Sequence, residues 1–207
     1  MLTLPLIASL MMSALQPEGG AELEPEQISE VDALACRLDA QSYQRFAFAV
    51  EGEEQIAKKR GWRKVSSANP LLLEFDLPAP ITLAETYRTR RIAFTADGIL
   101  AILDLADPNV IAAKENIENT MSAEPIIAAM VASGKATRAE AEAMIQFRKF
   151  LGERVVQDVT EPAPEKGGYG SRSVIAHTIS NVTTHPGKTL YGCSYRMEIL
   201  DDNGAPL

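Results

Sequence analysis

The stretch from Arg88 to Leu105 (RTRRIAFTADGILAILDL) constrains the fold more than any other part of the chain. Asp97-Gly98 is the residue pair that a two-residue hairpin turn favours, because both central positions of such a turn need positive φ. Counting outward from that turn pairs Ala96 with Ile99, Phe94 with Ala101 and Ile92 with Leu103, so one face is wholly apolar. The other face sets Ala93 against Ile102 and Arg91 against Asp104, an expected cross-strand ion pair. Such a hairpin belongs to a sheet with a covered inner face. It carries no chemistry of its own.

The remaining segments group around it. Glu26 to Ala40 is expected to be a helix with the stripe Ile28, Val31, Ala35 and Leu38, from which Cys36 projects away. Alternation of Phe46, Phe48 and Val50 predicts a strand over Tyr43 to Val50. Glu51 to Arg60 predicts a short helix, acidic first and basic last, stopped by Gly61. Leu71 to Leu77 alternates as a half-buried strand bounded by Pro70 and Pro78. After the hairpin, Asp107-Pro108 opens a helix, a second is expected from Ser122 to Gly134, and a third starts at the capping box Thr137 to Glu140 and ends at Gly152. Ile126, Ile127, Met130, Val131, Met144, Phe147, Phe150 and Leu151 are the faces expected to pack on the sheet. Strands over Arg154 to Glu161, Ser173 to Thr183 and Thr189 to Leu200 complete a meander. Strands, then helices, then strands indicate an α+β domain: an antiparallel sheet of about five to seven strands, a helical insert (about 108–151) packed on one face, and an N-terminal helix.

The first residues, MLTLPLIASLMMSAL, are too short an apolar run to span a bilayer and match the length of a signal-peptide core. Gly19-Gly20-Ala21 follows, although no Lys or Arg precedes the run. Residues 1–21 are therefore read as a signal peptide and 22–207 as a single α+β domain, exported to a periplasmic or secreted location and not integral to a membrane. Cys36 and Cys193, the only cysteines, are expected to form one disulfide in that setting. The net charge of −8 argues against a nucleic-acid partner.

No motif for catalysis, a metal or a cofactor stands out. His177, His185, Cys36 and Cys193 lack the close spacings of zinc sites, so no metal or cofactor is expected. Gly168-Tyr169-Gly170-Ser171 does not have the form of a nucleophile elbow. Cys193 with His177 would make a thiol–imidazole couple, but the same cysteine is the disulfide candidate. His177 is expected to be a structural imidazole beside Ile175 and Ile179, and His185, before Pro186 in a turn, to be solvent exposed.

One charge feature is non-random. Lys58, Lys59, Arg60, Arg63 and Lys64 surround Gly61, and Arg88, Arg90 and Arg91 open the hairpin, all in an acidic chain. Were the two groups to meet beside Trp62, then Lys59, Arg60, Trp62, Arg63, Arg88 and Arg90 would form an anion-binding surface. The alternative is a helix end that favours cations and a solvated strand end. The function expected is a non-catalytic ligand- or protein-binding module, in which a homo-oligomer is one form of partner. The alternative is an exported hydrolytic enzyme. A cleft that brings His177 or His185 to a carboxylate and a hydroxyl or thiol would indicate the enzyme, and an apolar groove without such a group the binding module.

Overall fold

The computed structural model describes residues 23–121, 123–144 and 150–207; the expected signal peptide, Ser122 at the start of the second insert helix, and Phe147 lie outside them. Seven strands form one antiparallel sheet in the order β1-β2-β3-β4-β7-β6-β5. They are β1 (Arg63–Val65), β2 (Leu73–Leu83), β3 (Tyr87–Phe94), β4 (Gly98–Leu103), β5 (Leu151–Glu161), β6 (Gly170–Ser180) and β7 (Thr189–Leu200). The helices are α1 (Glu30–Leu34), α2 (Ala40–Glu51), α3 (Ile56–Lys59), α4 (Asn109–Glu115), α5 (Glu124–Ala132) and α6 (Arg138–Met144). The α+β class and the strand number agree with the sequence.

The hairpin forms, but its turn is wider than Asp97-Gly98 implies. Phe94 pairs with Ile99 and Ile92 with Ala101, and the Thr95 amide donates to the Gly98 carbonyl at 2.8 Å, so residues 95–98 make a four-residue connection. Gly98 is absent from the positive-φ residues, so the two-residue turn is not used. The register moves by two residues, and a shift of two leaves every side chain on its expected face. Ile92, Phe94, Ile99, Ala101 and Leu103 are all buried on the inner face. Arg91, however, faces Asp76 of β2 at 3.1 Å, and Asp104 pairs with Lys188.

The inner face is covered by the N-terminal helices. The strand expected over Tyr43 to Val50 is instead part of α2: Asp39 caps it by accepting from the Ser42 amide at 2.7 Å, and Tyr43, Phe46 and Val50 bury a helical stripe. The helix expected over Glu26 to Ala40 ends at Leu34, because Cys36 takes a left-handed conformation (φ 55°). That turn brings Cys36 to Cys193 in β7, with Cα atoms 5.3 Å apart, and the disulfide forms. The Tyr195 hydroxyl donates to the buried Ala33 carbonyl at 2.7 Å, a second tie between α1 and β7. Of the helix expected over Glu51 to Arg60, Glu51 is the last residue of α2 and only α3 forms a separate helix.

Two further boundaries differ. β2 runs through Pro78 and Pro80 because its ladder is interrupted between Asp76 and Ile81, where missing proline N–H groups leave no gap in a regular pairing. Within the insert, α4 buries Ile111 and Ala112, and the capping box at Thr137 and Glu140 is present. The residues expected to pack from the next two helices divide: Ile127 and Phe150 are buried, but Ile126, Val131, Met144 and Leu151 are exposed. Gly152, the expected end of the third helix, lies in β5, which begins at Leu151. Part of the insert packs as expected, and the sheet's main cover comes from α1 and α2.

A smaller apolar cluster lies on the outer face. Ala93, Leu100, Ile102 and Leu190 are buried there beneath Leu72 and Val182, which belong to the segments preceding β2 and following β6. The central strands are therefore buried on both sides.

Candidate functional site

Three arrangements bring polar or exposed apolar groups together. The first is a groove of about 670 Å³ at the hairpin end of the inner face. One wall is α2, with Tyr43, Ala47 and Phe48; the other is Pro70 to Leu73, and the hairpin loop closes one end. The floor is aromatic, since Tyr43 and Tyr195 stack with ring centroids 4.1 Å apart and Phe94 lies alongside. At the rim Phe48 is 80% exposed and Leu71 79%. The apolar surface continues along the sheet. Met197 and Ile199 alternate with Tyr195 on β7, and Val159 shares their face because Ser173 pairs with both Val159 and Met197. All three are exposed.

The second arrangement is on the outer face. Glu74, 1% exposed, accepts from the Ser67 hydroxyl, and its Oε1 lies 3.0 Å from His185 Nε2. His185 is nearly buried, which corrects the expectation that it faces solvent. A carboxylate only accepts, so Nε2 is the donor to Glu74, and the Thr184 hydroxyl lies 3.0 Å from Nδ1. Arg91 extends the network, with Nη1 3.9 Å from Glu74 and Nε 3.1 Å from Asp76. Ser67 and His185 come from the two segments that cover the outer apolar cluster, so Glu74 clasps both to the sheet.

The third lies where α4 meets the sheet. The Arg154 guanidinium donates to the Glu115 carbonyl at 2.7 Å and lies 3.3 Å from its carboxylate. His177 stacks on Tyr191 at 5.9 Å. Burial, reinforced by the Arg154 charge, holds the His177 imidazole below its ordinary value, so it is neutral at neutral pH. It sits between Ile175 and Ile179 as expected, and its partner in the proposed thiol couple, Cys193, is consumed by the disulfide.

The cations singled out by sequence are distributed among carboxylates and carbonyls. Lys59 pairs with Glu26, and Arg60 with Glu30 at 2.9 Å and with the Ile28 carbonyl at 2.7 Å. Arg63 pairs with Asp76, which also receives Arg91, so the two cation groups do approach each other, but with Asp76 between them. Arg90 donates to the Pro78 carbonyl at 2.7 Å, and Arg88 is exposed on β3. Trp62 is buried against Phe75 and Phe94, with the Arg60 guanidinium 5.6 Å above its ring, so it is core.

Sequence reasoning missed Phe48 and Leu71 by placing Phe48 in a strand and Leu71 in a half-buried strand. In a helix capped at Asp39, Phe48 falls opposite the Tyr43, Phe46 and Val50 stripe, and a lone aromatic on the polar face is the signal. Among the described residues, no cluster of three or more His, Cys, Asp or Glu is placed to hold a metal ion, and no helix is long and apolar enough to cross a membrane. Comparison with family models, curated proteins and solved structures finds no match to this chain.

Proposed function

We propose that the chain is an exported, non-catalytic binding module whose ligand or protein partner places an apolar group in the groove between α2 and the Pro70 to Leu73 segment. The observation that carries this reading is the rim: two large side chains about four-fifths bare, Phe48 and Leu71, on either side of a concave aromatic floor. Single exposed apolar residues are ordinary, but a contiguous patch joined to a groove is the usual form of a recognition surface. The Cys36–Cys193 disulfide supports export, since such bonds persist in oxidising compartments. The cation strip contributes little net field, being interleaved with Glu26, Glu30 and Asp76.

Nile red, a neutral fluorophore that brightens in apolar surroundings, tests the reading. Saturable binding to the wild type that is lost in a Phe48→Ser/Leu71→Ser double variant with unchanged circular dichroism supports it. Equal binding to both proteins removes it. A concentration-dependent dimer that dissociates in the same variant would assign the patch to a second copy of the chain.

One observation favours the hydrolytic alternative. Thr184, His185 and Glu74 have the order hydroxyl, imidazole, carboxylate at 3.0 Å per step. They lie on the sheet face opposite the groove, because Glu74 alternates with Leu73 and Phe75 along β2. On this reading Thr184 Oγ attacks an ester carbonyl carbon while its proton passes to His185 Nδ1, the C–O bond to the alcohol breaks as His185 returns that proton to the leaving oxygen, and water then hydrolyses the acyl-Thr184 ester. Turnover of p-nitrophenyl acetate abolished by Thr184→Ala and by His185→Ala would favour the enzyme over the binding module.

A further inference from the structure

The bare apolar surface is larger than the groove it surrounds. Phe48, Leu71 and Met197 line the groove, and from Met197 the same sheet face continues to Ile199 and Val159. Given their fractional exposures, these five side chains leave about 600 Å² in water, the top of the range for the largest apolar patch on a monomer. A small ligand seated in the groove would leave Ile199 and Val159 as wet as before. An occupant that covers the whole patch is therefore a macromolecule.

The shape and charge of the face say which one. Phe48 borders the groove on one side and a shallower depression, with Pro25, Ala49 and Gly52, on the other, so it stands as a ridge between two hollows. Asp97 is the one charged side chain among the described residues that line the groove, so the face offers a partner shape and not charge. A knob and a hollow on one patch meet the requirement for an isologous contact, because a two-fold axis presents the Phe48 of each copy to the groove of the other. At about 670 Å³ the groove has room for an aromatic side chain. Two such patches bury about 1,200 Å² in total when paired, the lower bound of a specific interface.

We propose that the partner of the groove is a second copy of this chain, in a two-fold dimer where the Phe48 ring of each copy enters the other's groove and Met197, Ile199 and Val159 are covered around it. This rests on the binding reading above and names its partner. Each groove is incomplete alone, because the group that fills it comes from the other copy. The small interface, opposed by a net charge of −8 on each chain, makes an exchanging dimer and not a permanent one. The groove is then filled when the chain is concentrated and open to small apolar ligands when it is dilute.

Sedimentation velocity of the oxidised protein over a concentration series tests this. The wild type should show a monomer–dimer equilibrium with Kd on the order of 10 µM, tightening as salt screens the repulsion between copies. Phe48→Ser should raise Kd at least about tenfold, whereas Phe48→Leu, which keeps an apolar knob, should retain most of the association. Ala47→Trp fills the groove and should also be monomeric. Mixing it with Phe48→Ser should restore a heterodimer, because one copy keeps the knob and the other the hollow. Nile red should compete with association, so dye bound per chain falls as the protein is concentrated. A wild type that stays monomeric at millimolar concentration while binding Nile red overturns the proposal and leaves the groove as a ligand site. A dimer unchanged by Phe48→Ser also overturns it, and the dye alone then decides the groove. Neither dimer nor dye binding overturns both.

Discussion

Glu74 is the residue on which most of the outer face depends. A carboxylate 1% exposed is held by Ser67 and His185, and each of those belongs to a different covering segment. His185→Ala should therefore cost about 2 kcal/mol in urea unfolding, the order of a hydrogen bond to a charged group. A loss below ~0.5 kcal/mol would mean the clasp is not structural. Asp39 gives the corresponding pH effect. Burial would raise its carboxyl, but hydrogen bonds from the Ser42 hydroxyl and amide outweigh that and hold it below the ordinary value. The sign follows from linkage: a depressed folded value contributes stability above the unfolded value of about 3.9, lost as pH falls through the folded one. Asp39→Asn should flatten the acid limb of the stability profile below about pH 4, and an unchanged limb would contradict the assignment. The Glu74–His185 contact was not legible in sequence, because the two residues are 111 positions apart and only the finished sheet brings them together.

Among the elements, β7 carries the greatest constraint. Its Cys193 is bonded to Cys36, its Tyr195 to Ala33, and its Gly192 lies so close to β4 that a Cβ would sit 2.1 Å from the Ile99 carbonyl oxygen. Gly192→Ala should destabilise by about 1–3 kcal/mol, the range for forcing added volume into a packed site, and a neutral result would mean β4 and β7 separate easily. Element type was readable wherever one local signal dominated. The β5–β6–β7 meander and the capping box at Thr137 are examples, as is the hairpin, whose faces survived a two-residue change of register. Reading failed where two periods competed. Phe46, Phe48 and Val50 alternate like a strand, yet Tyr43, Phe46 and Val50 also satisfy a helix, and the Asp39 cap decided between them. The break at Cys36 reflects a covalent bond to a residue 157 positions away, which no local pattern encodes.

On the scale of the whole molecule, the disulfide joins the helical layer to the middle of the sheet across nearly the full described chain. Closing a loop of that length is worth about 5 kcal/mol in the chain-entropy model, so reduction should lower the unfolding midpoint sharply. An unchanged midpoint under reducing conditions would mean α1 docks without the bond. The same architecture leaves the groove open, because α2 covers the centre of the inner face but leaves Met197 and Ile199 exposed. The groove itself was invisible in sequence, since its walls are α2, the segment before β2 and the hairpin loop, three pieces whose juxtaposition depends on the sheet order. Hydrogen exchange measured on the oxidised protein with and without saturating Nile red tests the central claim most directly. Protection confined to peptides covering residues 43–48, 70–73 and 94–97 is the result this structure predicts; protection elsewhere, or none at saturating ligand, would contradict it.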